Sequence, residues 1–219
     1  MKQSIVIPAY NEEAIIGDLL RYLRSLDQNI EIVVVANGCT DNTAQKAAPL
    51  ADIVVVEEEG NIPKAKNLGM KAASGNLVTF LDADTYPQKD YFEKTAELYN
   101  NGFFEEYDGL YTRIYPLEGD KELAYFLYHL FCRSPIRSAS GSCMTIKADR
   151  FGTGFNENVY GDDHDMARRH NFKYMYQLTC LTSTRRLNKW GIVNMFKFYV
   201  KGYFQVQKRQ RSAADKEYY

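Results

Sequence analysis

Short apolar runs alternate with amphipathic stretches along the first part of the chain. Ser4 to Ile7, Glu31 to Ala36, Ile53 to Val56 and Leu77 to Leu81 read as strands, and the near-continuous apolarity of the last suits a strand covered on both faces. Between them the spacing turns helical: from Asn11 to Leu26, with Leu19, Leu20, Leu23 and Leu26 as the buried stripe, from Asp41 to about Leu50, and from Pro63 to Ala73. Asn11 is the expected cap of the first helix, with Glu12 and Glu13 in its positive first turn. Asn61 and Pro63 mark the start of the third, and Ser74 and Gly75 its end. This β–α–β–α order predicts a parallel, right-handed α/β sheet.

After Asp84 the rhythm changes. A helix is expected from Gln88 to Asn100, an aromatic strand around Tyr107 to Tyr115, and a further helix from Lys121 to Phe131. A loop of small residues, Ser138 to Ser142, then precedes a strand from Cys143 to Lys147, and an acidic cluster follows at Asp162, Asp163 and Asp165. From Trp190 to Lys208 helical spacing returns, with Ile192, Met195, Phe196, Tyr199, Val200, Tyr203 and Val206 on one face and Lys197, Lys201 and Lys208 opposite. With Arg185, Arg186 and Lys189 this end is basic and amphipathic. It would lie on an anionic membrane surface, or cover the sheet, or join two copies in a homodimer. The polar segment from Gln210 onward is expected to fray.

With 219 residues the chain suits one α/β domain with an appendage. Its 27 Lys and Arg nearly balance 28 Asp and Glu, which removes any bulk electrostatic case for nucleic acid. The cysteines at positions 39, 132, 143 and 180 are scattered and form no C-x-x-C pair, arguing against zinc and a disulfide framework and for a reducing cytoplasm. The first residues run straight into a strand and reach Pro8 and two acids too soon for a secretory signal. No apolar stretch approaches the about 20 residues needed to cross a bilayer.

The most informative chemistry sits where an apolar strand opens onto two acids, Asp82 and Asp84, around the small Ala83. Ligands of open α/β sheets bind beyond the carboxyl ends of strands, and paired hard oxygens there suit magnesium or manganese carrying a diphosphate. The plainer reading is that both acids cap the turn into the next element.

Taken in order, SIVIPAYNEE, VVVANGCTDNT, AKNLGMKAASG, FLDAD and GDDHD resemble the motif series of inverting family-two glycosyltransferases over roughly the first four fifths of the chain. The resemblance implies a GT-A, Rossmann-like fold: a mostly parallel central sheet flanked by helices, with a mixed acceptor-side half and a C-terminal amphipathic helix. It implies a nucleotide-sugar half at 1–100, an acceptor-side half at 101–185, and a helix and tail at 186–219. The donor would be a UDP- or GDP-sugar held with Mn2+ or Mg2+, and the acceptor a glycan or lipid-linked molecule, reached from the cytoplasm or the inner face of the membrane.

The site residues follow from the same resemblance. Pro8, Ala9, Tyr10 and Glu12 would surround the nucleoside, where the ring face of Tyr10 can cover a base. Ala36 and Asn37 stand where the family usually has paired acids, and the Asn37 amide both donates and accepts, leaving the base open. Lys66 replaces an Arg and would meet a phosphate or base without the bidentate fork. Asp84 would bind the metal directly, with Asp82 and Ala83 against the ribose or a metal-bound water. Asp163 would be the base that deprotonates the acceptor, and Gly141, Asp162 and Asp165 would lie on the acceptor side. Each assignment has a plainer counterpart: Tyr10 as packing, Lys64 and Lys66 as solvated charges, the acidic cluster as a helix start, His164 and His170 as surface histidines. The Gln-x-x-Arg-Trp pattern of processive synthases is absent, since Leu187 follows Arg186, which favours single addition. A non-catalytic nucleotide-sugar-binding module remains the alternative. A sugar-phosphate nucleotidyltransferase lacks its Gly- and Arg-rich loop here, and a dinucleotide-binding domain lacks G-x-G-x-x-G.

Overall fold

The structure is a computed structural model that describes residues 1–118, 141–159, 161–185, 187–191, 193, 194 and 197. The expected helix from Lys121 to Phe131 lies outside the described residues, as does most of the C-terminal amphipathic segment, where the described positions from 185 onward are helical. Among the described residues no helix is long and apolar enough to cross a membrane.

The first half follows the predicted alternation: β1 (Gln3–Ala9), α1 (Ile16–Leu26), β2 (Glu31–Asn37), α2 (Thr43–Ala47), β3 (Ile53–Glu57), α3 (Ile62–Ala72) and β4 (Leu77–Leu81). Then come β5 (Thr85–Pro87), α4 (Tyr91–Asn100), α5 (Phe103–Glu106), β6 (Gly109–Pro116), β7 (Cys143–Lys147), α6 (Asp162–Arg169) and β8 (Phe172–Thr182). Among the described residues all eight strands join one sheet in the order β3-β2-β1-β4-β7-β6-β8-β5. β1 to β4 run parallel, whereas β7 enters antiparallel between β4 and β6.

Alternate residues of the central strands feed two apolar layers, as a side-chain period of two requires. Ile5, Ile7, Ile32 and Val34 pack with Leu19, Leu20 and Leu23 of α1 on one face. Val6, Val33, Val78 and Phe80 pack with Met166 of α6 and Phe155 on the other. Each such side chain, once fully buried, contributes about 1.5–3 kcal/mol, so both faces of the sheet are strongly held.

Two local differences from the sequence reading bear on the site. α1 begins at Ile16, and its cap residue Ile15 makes no side-chain cap hydrogen bond. Asn11 instead takes a positive φ of 53°, tolerated by Asn, and its Oδ1 accepts from the amide of Thr40 at 2.8 Å. Residues 10–15 therefore form a loop tied to the β2–α2 connection. By contrast, Asn61 caps α3 as expected, accepting from Lys64 N at 3.0 Å.

β5 follows β4 after three residues yet occupies the far end of the strand order. Those residues can span at most about 14 Å, whereas four flat inter-strand steps would need about 19 Å. The second half of the sheet must curl back, and it does so far enough for Ser183 N, just past β8, to donate to Asp84 O at 3.1 Å.

Candidate active site

The carboxyl ends of β1 to β4 gather their loops at one edge. Cys39 Sγ donates to Ala9 O at 3.2 Å, and Glu12 N donates to Thr43 Oγ1 at 2.8 Å. Glu13 N donates to Asp41 Oδ2 at 3.1 Å, and Asn61 N donates to Asn37 Oδ1 at 2.9 Å. Asn37 is buried, so its acceptor oxygen is committed to the loop before α3. Tyr10 is 59% exposed and leaves its ring face open to a ligand, while Pro8 is half-buried and Ala9 is buried. Ala9 can therefore offer a ligand little beyond its backbone.

Asp82 and Asp84 are half-buried on either side of the buried Ala83. The amide of Asp82 donates to Ser142 O at 3.0 Å, which ties this turn to the residues leading into β7. The curled end of the sheet delivers a cation to the second acid: Arg185 Nη2 donates to Glu12 Oε1 at 2.8 Å and to Asp84 Oδ2 at 3.2 Å. The hydrogen bond to Glu12, helped by Asp84, holds the guanidinium even more firmly protonated than usual. Among the described residues no group of three or more His, Cys, Asp or Glu could hold a metal. A pair of hard carboxylates at a strand end still fits magnesium or manganese, which use one or two carboxylates and draw further oxygens from phosphates and water. The attraction of Asp84 for Arg185 marks the same spot as cation-seeking.

The acidic helix start arrives from the other side of the turn. Gly141 lies against Asp163: a Cβ there would stand 2.8 Å from Asp163 Oδ2, so no larger residue fits without movement. Gly141 and Ser142 thus touch Asp163 and Asp82 respectively. Lys66 is only 3% exposed, and its Nζ donates to Asp162 Oδ2 at 2.7 Å. Burial works against its charge, but the carboxylates of Asp162, Asp163 and Asp82 outweigh that and raise its pKa. One ammonium therefore lies among acids from both motifs, Asp82 of the strand-end pair and Asp162 and Asp163 of the helix start.

Several side chains have partners that the sequence reading did not assign. Lys66, read as a contact for a phosphate or base, pairs with Asp162. Asp165, read as lying on the acceptor side, is buried and accepts from Arg169 Nε at 2.8 Å within its own helix, where it braces α6. His164 is buried, not a surface histidine. His170, at the other end of α6, lies 3.5 Å from Asp108 beside the start of β6, away from the edge that carries Asp82. Arg185 and Asn67 were not read as site residues at all. Asn67 lies within the AKNLG segment, whereas nothing local in the sequence signals the reach of Arg185 to Glu12 and Asp84.

A curled, mostly parallel sheet flanked by helices, with paired acids at a strand end, matches the GT-A architecture. The chain belongs to glycosyl transferase family 2, whose model matches residues 4–139. That match stops short of α6, so the placement of Asp163 rests on geometry. Glycosyltransferase GlyA of Streptococcus pneumoniae is 32% identical over 98 residues, covering 42% of this chain and 14% of the relative. The poly(ribitol-phosphate) beta-N-acetylglucosaminyltransferase TarS of Staphylococcus aureus is 34% identical over 105 residues, covering 44% of this chain and 18% of the relative. The matched segment thus spans under a fifth of the length of either relative. Among solved structures, mannosyltransferase PcManGT of Pyrobaculum calidifontis in complex with GDP-Man and Mn2+ superimposes with a TM-score of 0.72 at 19% identity, covering 95% of this chain and 64% of that one. TarS 1–349 in complex with UDP-GlcNAc does so with a TM-score of 0.62 at 20% identity, covering 82% and 58%.

Proposed function

We propose that the chain transfers one sugar from a nucleotide-diphosphate sugar to a hydroxyl-bearing or lipid-linked acceptor, with inversion at the anomeric carbon. The observation that carries this is the meeting of the two acidic motifs around Lys66 and the Gly141–Ser142 turn. Support comes also from the family and from the nucleotide sugars and Mn2+ named for the solved neighbours.

In this reading the donor lies along the strand ends, with Tyr10 over the base and Asn37 near the base edge. Asp84 and Asp82 would hold Mn2+ or Mg2+, which would neutralise charge growing on the leaving diphosphate. Asp163 accepts the acceptor's hydroxyl proton as that oxygen attacks the anomeric carbon. The new carbon–oxygen bond forms as the bond to the diphosphate breaks on the opposite face, and the electron pair leaves with the nucleotide. The fixed turn at Gly141 and Ser142 keeps base and donor in register, an orientation effect.

The test is a panel of UDP- and GDP-sugars with Mn2+, read by thermal shift and by acceptor-dependent nucleotide release. Asp163→Asn should keep the donor-induced shift and lose release by about 10²–10⁴-fold. If that variant releases nucleotide at the parent rate, the assignment of the base is wrong. If donors shift melting but no acceptor in the panel promotes release, the binding-module alternative gains.

A further inference from the structure

The segment between β7 and α6 is gripped by two consecutive side chains of α3. Asn67 pairs with the backbone of Phe155 in both directions: Phe155 N donates to Oδ1 at 2.8 Å, and Nδ2 donates to Phe155 O at 2.9 Å. The same Nδ2 also reaches Glu157 Oε1 at 2.9 Å, while Asn61 Nδ2 donates to Glu157 O at 3.2 Å. Lys66 places its ammonium 4.8 Å from the centroid of the Phe155 ring and 2.7 Å from Asp162 Oδ2. Gly154 completes the fit: its φ is +76°, and a Cβ there would stand 2.6 Å from Asn67 Oδ1.

The grip is continuous with the metal-side strand. Phe155 is 2% exposed and meets Phe80 edge-on at 4.9 Å between centroids, two residues before Asp82. Both partners of the Lys66–Asp162 pair are largely shielded, with side chains 4% and 15% exposed. Removing one partner of a shielded pair leaves a stranded charge, whereas keeping both charges keeps the geometry.

We propose that Lys66 and Asn67 form a clamp whose task is to position Asp163, and that Lys66 acts through Asp162 and not by holding the donor diphosphate. This rests on the transfer reading above, since the group being positioned is the base assigned there. Lys66 and Asn67 are positioning residues: the clamp sets the start of α6, and the start of α6 sets where the Asp163 carboxylate meets the turn at Gly141.

The clamp predicts a split between binding and turnover. Lys66→Met should lower kcat at least tenfold while the donor KM and the donor-induced thermal shift stay within about threefold. Lys66→Arg retains a cation opposite Asp162 and should recover most of the turnover, although a fork replaces a point charge. Asn67→Asp keeps the acceptor for Phe155 N but turns a donor into a carboxylate facing Glu157. It should raise amide hydrogen exchange at 155–163 with little change in the β1–β4 strands.

If Lys66→Met instead loses donor affinity with kcat kept, Lys66 holds the donor and the proposal is overturned. If kcat and KM are both unchanged, it is likewise overturned. Hydrogen exchange keeps the test independent of the transfer reading. Should the parent chain show no transfer at all, unaltered exchange at 155–163 in both Lys66→Met and Asn67→Asp refutes the clamp, and raised exchange confined to that segment upholds it.

Discussion

Replacing Glu31 by Gln should cost more stability at neutral pH than in acid. Glu31 opens β2 and is 8% exposed. Its carboxylate accepts from Lys2 Nζ at 2.7 Å, Ser4 Oγ at 2.5 Å, Ser74 N at 2.7 Å and Ser74 Oγ at 2.6 Å. Burial alone would raise its pKa, but these four donors outweigh it and lower the value to about 2 from 4.5. The bonded form is the charged one, so the stabilisation is fully present above pH 4.5 and disappears as pH falls through about 2.

A difference of that size corresponds to about 3 kcal/mol. The Lys2 partner is half exposed, and screening of that contact brings the expected figure nearer 2 kcal/mol. For a chain of this length that amounts to a fall in Tm of about 4–8 °C at pH 7. Glu31→Gln also turns an amide donor toward Ser74 and adds a penalty that does not vary with pH. The diagnostic quantity is therefore the change in the mutant-to-parent difference between pH 7 and pH 3, followed by urea denaturation. A difference that stays constant over that range would refute the reasoning. Because Ser74 directly follows Ala73, the C-cap of α3, the same carboxylate helps anchor the end of the helix that carries Lys66 and Asn67.

Three further outcomes are expected. Gly141→Ala places a methyl group against Asp163, and should reduce transfer at least tenfold with donor-induced stabilisation intact; full activity would show that the turn can yield. Arg185→Gln removes a cation from Asp84 and should tighten binding of Mn2+ alone about two- to fivefold, a modest gain because the guanidinium is half exposed. Electron paramagnetic resonance of free Mn2+ measures this, and weaker binding would contradict it. Asp84→Asn should abolish the Mn2+-dependent part of the donor's thermal shift, and a metal-dependent shift of parental size would remove Asp84 from the site.

The first half of the fold was legible because each strand from β1 to β4 is a clean apolar run bounded by turn residues, and because Asn61 caps α3 in the usual way. α1 was placed too early because Asn11 and two acids mimic a helix start, whereas tertiary bonding to Thr40 draws them into a loop. β8 escaped notice for a different reason. Its register shifts opposite Thr112 and Arg113, and the buried positions Met175, Leu178, Cys180 and Thr182 therefore slip out of strict alternation. The paired acids and the acidic cluster were visible as motifs. Their separate tasks were not: Asp165 and Arg169 stand at a spacing that allows pairing within one helix, but the commitment of Lys66 to Asp162 depends on packing between α3 and α6. The reach of Arg185 depends on the curl of the sheet, a long-range property with no local signature.

The connection that leaves β6 and returns at β7 has a secure joint at each end. On one side Leu117 N donates to Thr182 O at 2.8 Å and Glu118 accepts from Thr184 Oγ1 at 2.8 Å; on the other, Ser142 O accepts from Asp82 N. Both joints are made by the sheet platform and the residues at its strand ends. A designer grafting a relative's stretch into this interval should therefore cut at these same two joints, where the platform fixes the backbone on either side.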